Sequence, residues 1–537
     1  MRIYFGAAFG STISAEVHLS SLVKVSAVVV IWTIASGALA RELDVRELEA
    51  YAQRALEAFD VPGAAIAIVK DGDVVFSKGF GVRTLGSPAP VDPNTLFAIA
   101  SCSKAFTTAA LAILVDEGKI SWDDRVIDHL PQFRLYDPWV TREITIRDLV
   151  THRSGFRSGG GDLLWLRSTY SREELMERLR YLKPVRSFRS RYAYSNVMFI
   201  VAGQIIPAVT GKSWDAFVAE RIFRPLGMSH ANSSITERRP ESNWARPHVF
   251  MDSEVRPIES ENVDTLGPAG AINASVSELS KWLLVQLGRG KLGETRIFSE
   301  RQSKEMWSPQ IAIGIGNPLR PLRALKPTWY AYGLGWRLKD YKGQKMVYHG
   351  GGLAGMTSLT TLVPGERLGI VILTNQETSF QSSLTYWILD AYLGDAPPTD
   401  WIAARQEAGK ILNRRFHERM DALLAARVEE TSPSLSLKSY AGTFNDALYG
   451  DVTVEASSGQ LVMRFSRSPS FKGPLEHWNH DTFVVRWGHH SNADAFVTFS
   501  LGADGSVDAM DLRPFSPAAD SAYDYEDLSF QPVRQSN

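Results

Sequence analysis

The chain is 537 residues long, with 44% hydrophobic and 22% charged residues and a formal net charge of −1. That length supports roughly two to four domains with substantial cores, and the even charge balance offers no basic field for nucleic acid. The single cysteine, Cys102, excludes an intramolecular disulfide framework, and no cluster of Cys and His has zinc-ligand spacing.

Residues 1–40 stand apart. Lys24 precedes the apolar stretch VSAVVVIWTIASGALA, and Ala38-Leu39-Ala40 has the form of a cleavage site. The segment reads as a secretory signal removed after Ala40, which makes the mature chain secreted or periplasmic. An uncleaved N-terminal anchor is the alternative, so membrane association is confined to residues 25–40. An amphipathic helix is expected over residues 43–59, and GAAIAIVKDGDVVFSKGFGV then reads as a β-hairpin turned at Asp71-Gly72. Residues 100–290 pattern as helices with long irregular connections. Among them, ASCSKAFTTAALAILVDEG is strongly apolar and stops at Gly118, and Ser275 and Glu278 have capping-box spacing. Strand signals return over residues 346–375. Strands at both ends with helices between predict an α+β domain over residues 41–395: one antiparallel sheet flanked by helices, with an inserted helical lobe. Residues 396–437 read as a helical linker, and the short alternating segments of residues 438–537 predict a small antiparallel β domain.

Three segments carry chemistry. Ser101 and Lys104 are three apart on the first turn of a buried helix, where a lysine kept neutral can take the proton of a serine hydroxyl. Tyr194-Ser195-Asn196 puts a phenol beside a carboxamide just before an apolar helix, and His349-Gly350-Gly351 follows a short strand. Taken singly, each has a plain structural reading: a helix-capping serine, a capping asparagine, a turn histidine. Ser21-Leu22-Val23-Lys24 repeats the first spacing inside the leader, where it has no catalytic meaning. Cys102 is turned about 100° away from Ser101 on the helix, His152 reads as structural, and His489-His490 as surface loop. No phosphate-binding glycine motif and no G-x-S-x-G occur.

In order and spacing these segments resemble the serine β-lactamase and penicillin-binding-protein superfamily, in particular its class C β-lactamase and peptidase family S12 branch, which uses Tyr-x-Asn. The likeness runs through residues 45–395, with TIRDLVTHRSGF, RIFRPLGMSH, GPAGAINASVSELSKWL and YGLGW as further landmarks. The region from residue 438 resembles the β-barrel-like C-terminal domain of S12-type hydrolases and D-aminopeptidases. The resemblance implies a DD-peptidase/β-lactamase-like fold followed by a small barrel, and a hydrolase with no metal and no cofactor. Its partner is a small-molecule or peptide substrate. It makes Ser101 the acylated nucleophile, Lys104 its base, and Tyr194 a partner in proton transfer. Asn196 would bind the substrate carbonyl. His349, with Gly351 as its glycine, would stand in the Lys-Thr-Gly position, and the N–H groups of Ser101 and Gly352 would form the oxyanion hole. The departure is His349 itself, because β-lactamases usually present a lysine there. The two Lys-x-Gly matches do not replace it: Lys70-Asp71-Gly72 is the hairpin turn, and Lys291-Leu292-Gly293 is expected in a loop. The implied substrates are therefore D-residue-containing peptides or amides, then small esters, then β-lactams, with the C-terminal domain limiting access to the cleft. The competing reading is a penicillin-recognising sensor that acylates without turnover.

Overall fold

The computed structural model describes residues 43–239, 242–251, 253–394 and 397–534; the leader expected at residues 1–40 lies outside them. Helix α1, Val45–Ala58, opens on Asp44, whose carboxylate accepts from the Arg46 and Glu47 N–H groups. Strands β1, Gly63–Lys70, and β2, Asp73–Gly81, then form the expected hairpin. Its turn residues Asp71 and Gly72 take positive φ, as a tight Asp-Gly turn requires.

β1 is apolar at almost every position because both of its faces are buried. Ala64, Ile66 and Ile68 pack with Leu48, Tyr51 and Ala55 of α1, while Ala65, Ala67 and Val69 join the core on the other side. The other sheet strands come late in the chain. They are Ile311–Ala312 (β3), Tyr330–Tyr332 (β4), Arg337–Tyr341 (β5), Gln344–Leu353 (β6), Met356–Val363 (β7) and Leu368–Thr374 (β8). The spatial order is β2-β1-β8-β7-β6-β5-β4-β3, antiparallel throughout, so the sheet is assembled from both ends of the domain.

The intervening chain supplies the helices of one face: α2 (Ser103–Asp116), α3 (Asn196–Thr210) and α4 (Val276–Leu287, with the expected Ser275/Glu278 capping box). Short ladders also occur there. Phe97–Ala98 pairs with Asn273–Ala274, His248–Met251 pairs with Glu254–Pro257, and Lys291–Leu292 pairs with Thr295–Arg296. Lys291, expected in a loop, therefore lies in a two-residue strand, one turn beyond α4. Helix α5, Phe380–Tyr392, and the first turn of α6, Trp401–Ala425, cover the opposite face beside α1.

The C-terminal strands are Gly442–Asp446 (β9), Gly450–Ser457 (β10), Gln460–Phe465 (β11), Lys472–Asn479 (β12), Thr482–Val485 (β13), Ala495–Leu501 (β14), Val507–Pro514 (β15) and Gln531–Pro532 (β16). Their order, β15-β14-β13-β12-β11-β10-β9-β16, is nearly closed. Met510 and Phe530 exchange backbone hydrogen bonds of 2.9 and 3.1 Å across the remaining gap. Alternate residues such as Val452, Val454, Leu461 and Met463 fill the interior.

Candidate active site

A 3₁₀ turn, Ala100–Cys102, runs into α2 and places Ser101 at the mouth of a cleft. Ala100 holds φ at +46°, a left-handed conformation unusual for alanine, directly before Ser101. One helical turn on, Lys104 is fully buried. Its Nζ lies 3.1 Å from Ser101 Oγ, 2.8 Å from Asn196 Oδ1 and 2.8 Å from the Ala269 carbonyl. A neutral amine would satisfy this set well: two N–H groups donate to Asn196 and Ala269, and the lone pair faces the serine hydroxyl. Burial is what favours that state. It draws the Lys104 amine down to about 7, opposed chiefly by the Asp162 carboxylate.

Asp162 is the residue that sequence reasoning missed. It is buried, and its carboxylate accepts from Asn196 Nδ2 at 2.8 Å and from Trp165 Nε1 at 2.8 Å. Burial lifts it to about 7, so Lys104 and Asp162 titrate in the same range through the intervening amide. The GGGDLLW segment around it has no spacing signal that would single it out. Asn196, expected to bind substrate, is thus held at both ends by protein groups. Its oxygen serves Lys104, and one Nδ2 hydrogen serves Asp162, which leaves the second hydrogen toward the cleft that Asn196 lines.

The Tyr194 phenol lies in the same cleft, with Lys104 Nζ 4.8 Å from its ring centroid. Burial raises its pKa, with the neighbouring Ser101 hydroxyl the main opposing influence, so the phenol is protonated near neutral pH. His152 holds this segment from below: Nδ1 accepts from the Ser195 N–H at 3.0 Å, and its ring packs 4.3 Å from that of Tyr194. Cys102 is turned away as expected, with Sγ 3.1 Å from the His349 carbonyl.

The His349 segment divides. Gly352 lines the cleft, but His349 and Gly351 do not. His349 is 1% exposed; Nδ1 donates to the Gly350 carbonyl at 2.7 Å, which leaves Nε2 to accept from the Tyr332 hydroxyl at 3.0 Å. Burial, with Arg337 and Lys104 nearby, pushes its pKa well below the usual value, so it is neutral. Gly351 packs against the turn before Ser101: a Cβ there would sit 2.2 Å from the Ile99 carbonyl oxygen and 2.9 Å from the Ser101 nitrogen. The absent side chain admits the strand to the turn, so Gly351 packs under Ser101 and does not line the cleft.

The cleft measures about 530 Å³, and its outer wall comes from the C-terminal barrel. His490, Ser491 and Asp520 to Tyr523 line it opposite Val249, Phe250 and Met251. The Ser521 carbonyl passes so close to Gly159 that a Cβ there would meet it at 2.0 Å. Asp524, wholly buried, accepts from the Gly161 N–H at 2.6 Å and the Leu163 N–H at 2.9 Å. The barrel therefore fixes the turn that carries Asp162. No group of acidic, His or Cys side chains able to hold a metal occurs among the described residues.

Comparison with known proteins bears on the fold and the family. The Beta-lactamase family matches residues 48–393, and a domain of unknown function, DUF3471, matches residues 426–532. An unguisins hydrolase of Aspergillus campestris is 28% identical over 428 residues, 75% of this chain and 76% of its own length. Penicillin-binding protein 4 of Amycolatopsis lactamdurans is 28% identical over 354 residues, covering 63% of this chain and 87% of that protein. Among solved structures, a penicillin-binding-protein homologue of Pyrococcus abyssi superposes with TM-score 0.58 at 23% identity, over 91% of this chain and all of that one. The D-amino acid amidase of Ochrobactrum anthropi gives 0.52 at 22% identity, over 69% of this chain and 99% of that one.

Proposed function

The chain belongs to the Beta-lactamase family, a serine-hydrolase family with penicillin-binding-protein and amidase relatives, and from that premise we propose an extracytoplasmic hydrolase that cleaves D-residue-containing peptides or amides through an acyl-enzyme on Ser101. One observation carries the reading: a wholly buried lysine, drawn to about 7, stands 3.1 Å from a serine hydroxyl at the mouth of a cleft.

In the proposed reaction neutral Lys104 takes the Ser101 proton as Oγ bonds to the substrate carbonyl carbon. The resulting oxyanion is held by the N–H groups of Ser101 and Gly352; one such donor is typically worth about 10²–10³ in rate. As the C–N bond breaks, the proton passes from Lys104 through the Tyr194 hydroxyl to the leaving amine. Water then returns a proton by the same route, attacks the ester and frees Ser101. Asn196 positions Lys104 and offers its remaining N–H to the substrate amide.

Two features favour amides over β-lactams. A neutral, buried His349 supplies no cation for a β-lactam carboxylate. The barrel wall narrows the cleft toward small or chain-terminal substrates, and a D-amino acid amidase is among the similar structures. The first test is a fluorophosphonate probe read by intact mass: one adduct on the wild type and none on Ser101→Ala. Turnover of an activated ester past one equivalent separates an enzyme from an acylating sensor. D-aminoacyl p-nitroanilides should be cleaved faster than their L-forms, and equal rates would remove the stereochemical part of the proposal.

A further inference from the structure

On the face of the sheet opposite Ser101, between strands β6 and β7 and helices α5 and α6, lies a second cavity of about 420 Å³. The backbone of Gly350 to Gly352 forms one side, and Lys339, Thr361, Gln381 and Arg405 reach it from the others. Its chemistry is one-sided. Two cations line it, and no Asp or Glu does. Lys339 is only 8% exposed and donates to the Tyr386 hydroxyl, yet among the described residues neither Lys339 nor Arg405 forms an ion pair. The neighbouring Lys342, by contrast, is paired with Asp390 at 2.6 Å.

The polar inventory is unbalanced as well. Arg405 Nε, Thr361 Oγ1 and Gln381 Oε1 are all buried without a hydrogen-bond partner, and Thr361 as a whole is 1% exposed. Buried polar groups are normally paired, and buried cations more strictly so. Three orphaned groups and two cations without a carboxylate partner, Lys339 resting 5.1 and 5.2 Å from the Tyr348 and Tyr386 ring centroids, surround this one cavity and favour an occupant that is negative and accepts hydrogen bonds. A guanidinium suits a planar or tetrahedral oxyanion, a lysine adds a point charge, and the Thr361 hydroxyl is a further donor. Rotation of the Gln381 amide about its last torsion presents N–H in place of oxygen. The volume exceeds that of a bare ion and falls in the range of small-molecule sites.

We propose that this cavity binds a small-molecule oxyanion, a phosphate or carboxylate group, between Lys339 and Arg405. The site stands on the back of the strand whose Gly351 touches the turn before Ser101, but it requires nothing of the catalytic reading.

The test is calorimetric titration of the full-length protein with inorganic phosphate and with citrate, in chloride buffer of matched ionic strength. Wild type and Ser101→Ala should bind alike, because the anion does not occupy the catalytic cleft. Lys339→Met and Arg405→Gln should each weaken binding by about tenfold to a hundredfold, as expected for loss of one charged hydrogen-bonding partner. The anion that binds more tightly identifies the group recognised. Absence of saturable binding by both anions, or unchanged affinity in both charge variants, would overturn the proposal. Should Lys339→Met not fold, the half-buried Arg405 decides alone, with its circular dichroism compared with wild type.

Discussion

Lys104 sits where a cation is unfavourable, and its titration should be visible in both rate and stability. Acylation needs the neutral amine, so kcat/KM should fall as pH drops through about 7, a limb that belongs to Lys104 and Asp162 jointly. Asp162→Asn should move that limb, whereas a purely structural role for the carboxylate would lower rate or stability and leave the limb in place. For stability the sign follows from proton counts. The folded amine binds its proton less tightly than the unfolded one, so between about 7 and its ordinary 10.5 the unfolded chain holds more protons. Stability should therefore rise with pH across that window in the wild type relative to Lys104→Met, as read by denaturant midpoints. Ser101, Lys104, Tyr194 and Asn196 were legible in the sequence because their partners lie within three residues, or within a motif whose order is informative. Asp162 was not, because its meaning comes from Asn196, 34 positions away, and from burial that no local pattern announces.

At the scale of the element, β6 does two jobs that its HGGG sequence does not separate. His349 and Gly351 share the face turned to the catalytic helix, by the two-residue period of a strand, and that face is packed rather than open. Gly351→Ala should thus press a methyl into backbone that has no freedom to yield. We expect a loss of about 2–4 kcal/mol in chemical denaturation, or of fluorophosphonate reactivity if the turn shifts instead. Gly352→Ala meets nothing within 4 Å and should leave stability within about 0.5 kcal/mol. If the two variants behave alike, the packing account of Gly351 is wrong. The hairpin, α2 and α4 were predictable from turn and cap chemistry. The register that buries His349 depends on which face β5 and α2 cover, and that is tertiary information.

For the whole molecule, the expectation of one sheet built from both ends, followed by a small β domain, agrees with the architecture found. What no sequence pattern indicated is how the barrel meets the hydrolase domain. Asp524 reaches Gly161 and Leu163 across 363 and 361 positions, and Arg157 pairs with Glu526 at 2.6 Å and Asp527 at 3.0 Å. Asp524→Ala leaves two buried N–H groups without an acceptor, at a cost of about 1–3 kcal/mol each. It should lower the thermal midpoint and reduce kcat more than it raises KM, because it loosens the turn under Asp162 rather than the cleft wall. Removal of residues 430–537 should, beyond that, relax selection between short and long peptides; unchanged selectivity would argue against the barrel as an access wall. The same contact sets a clock on biosynthesis. Ribosomes add about 5–20 residues per second, so the turn at Gly161 is made roughly 20–70 s before its acceptor at Asp524. Through that interval the nascent chain carries the serine and the lysine while the turn under Asp162 still lacks its clamp, so the Asp162–Asn196–Lys104 chain takes its final form only after the barrel has closed.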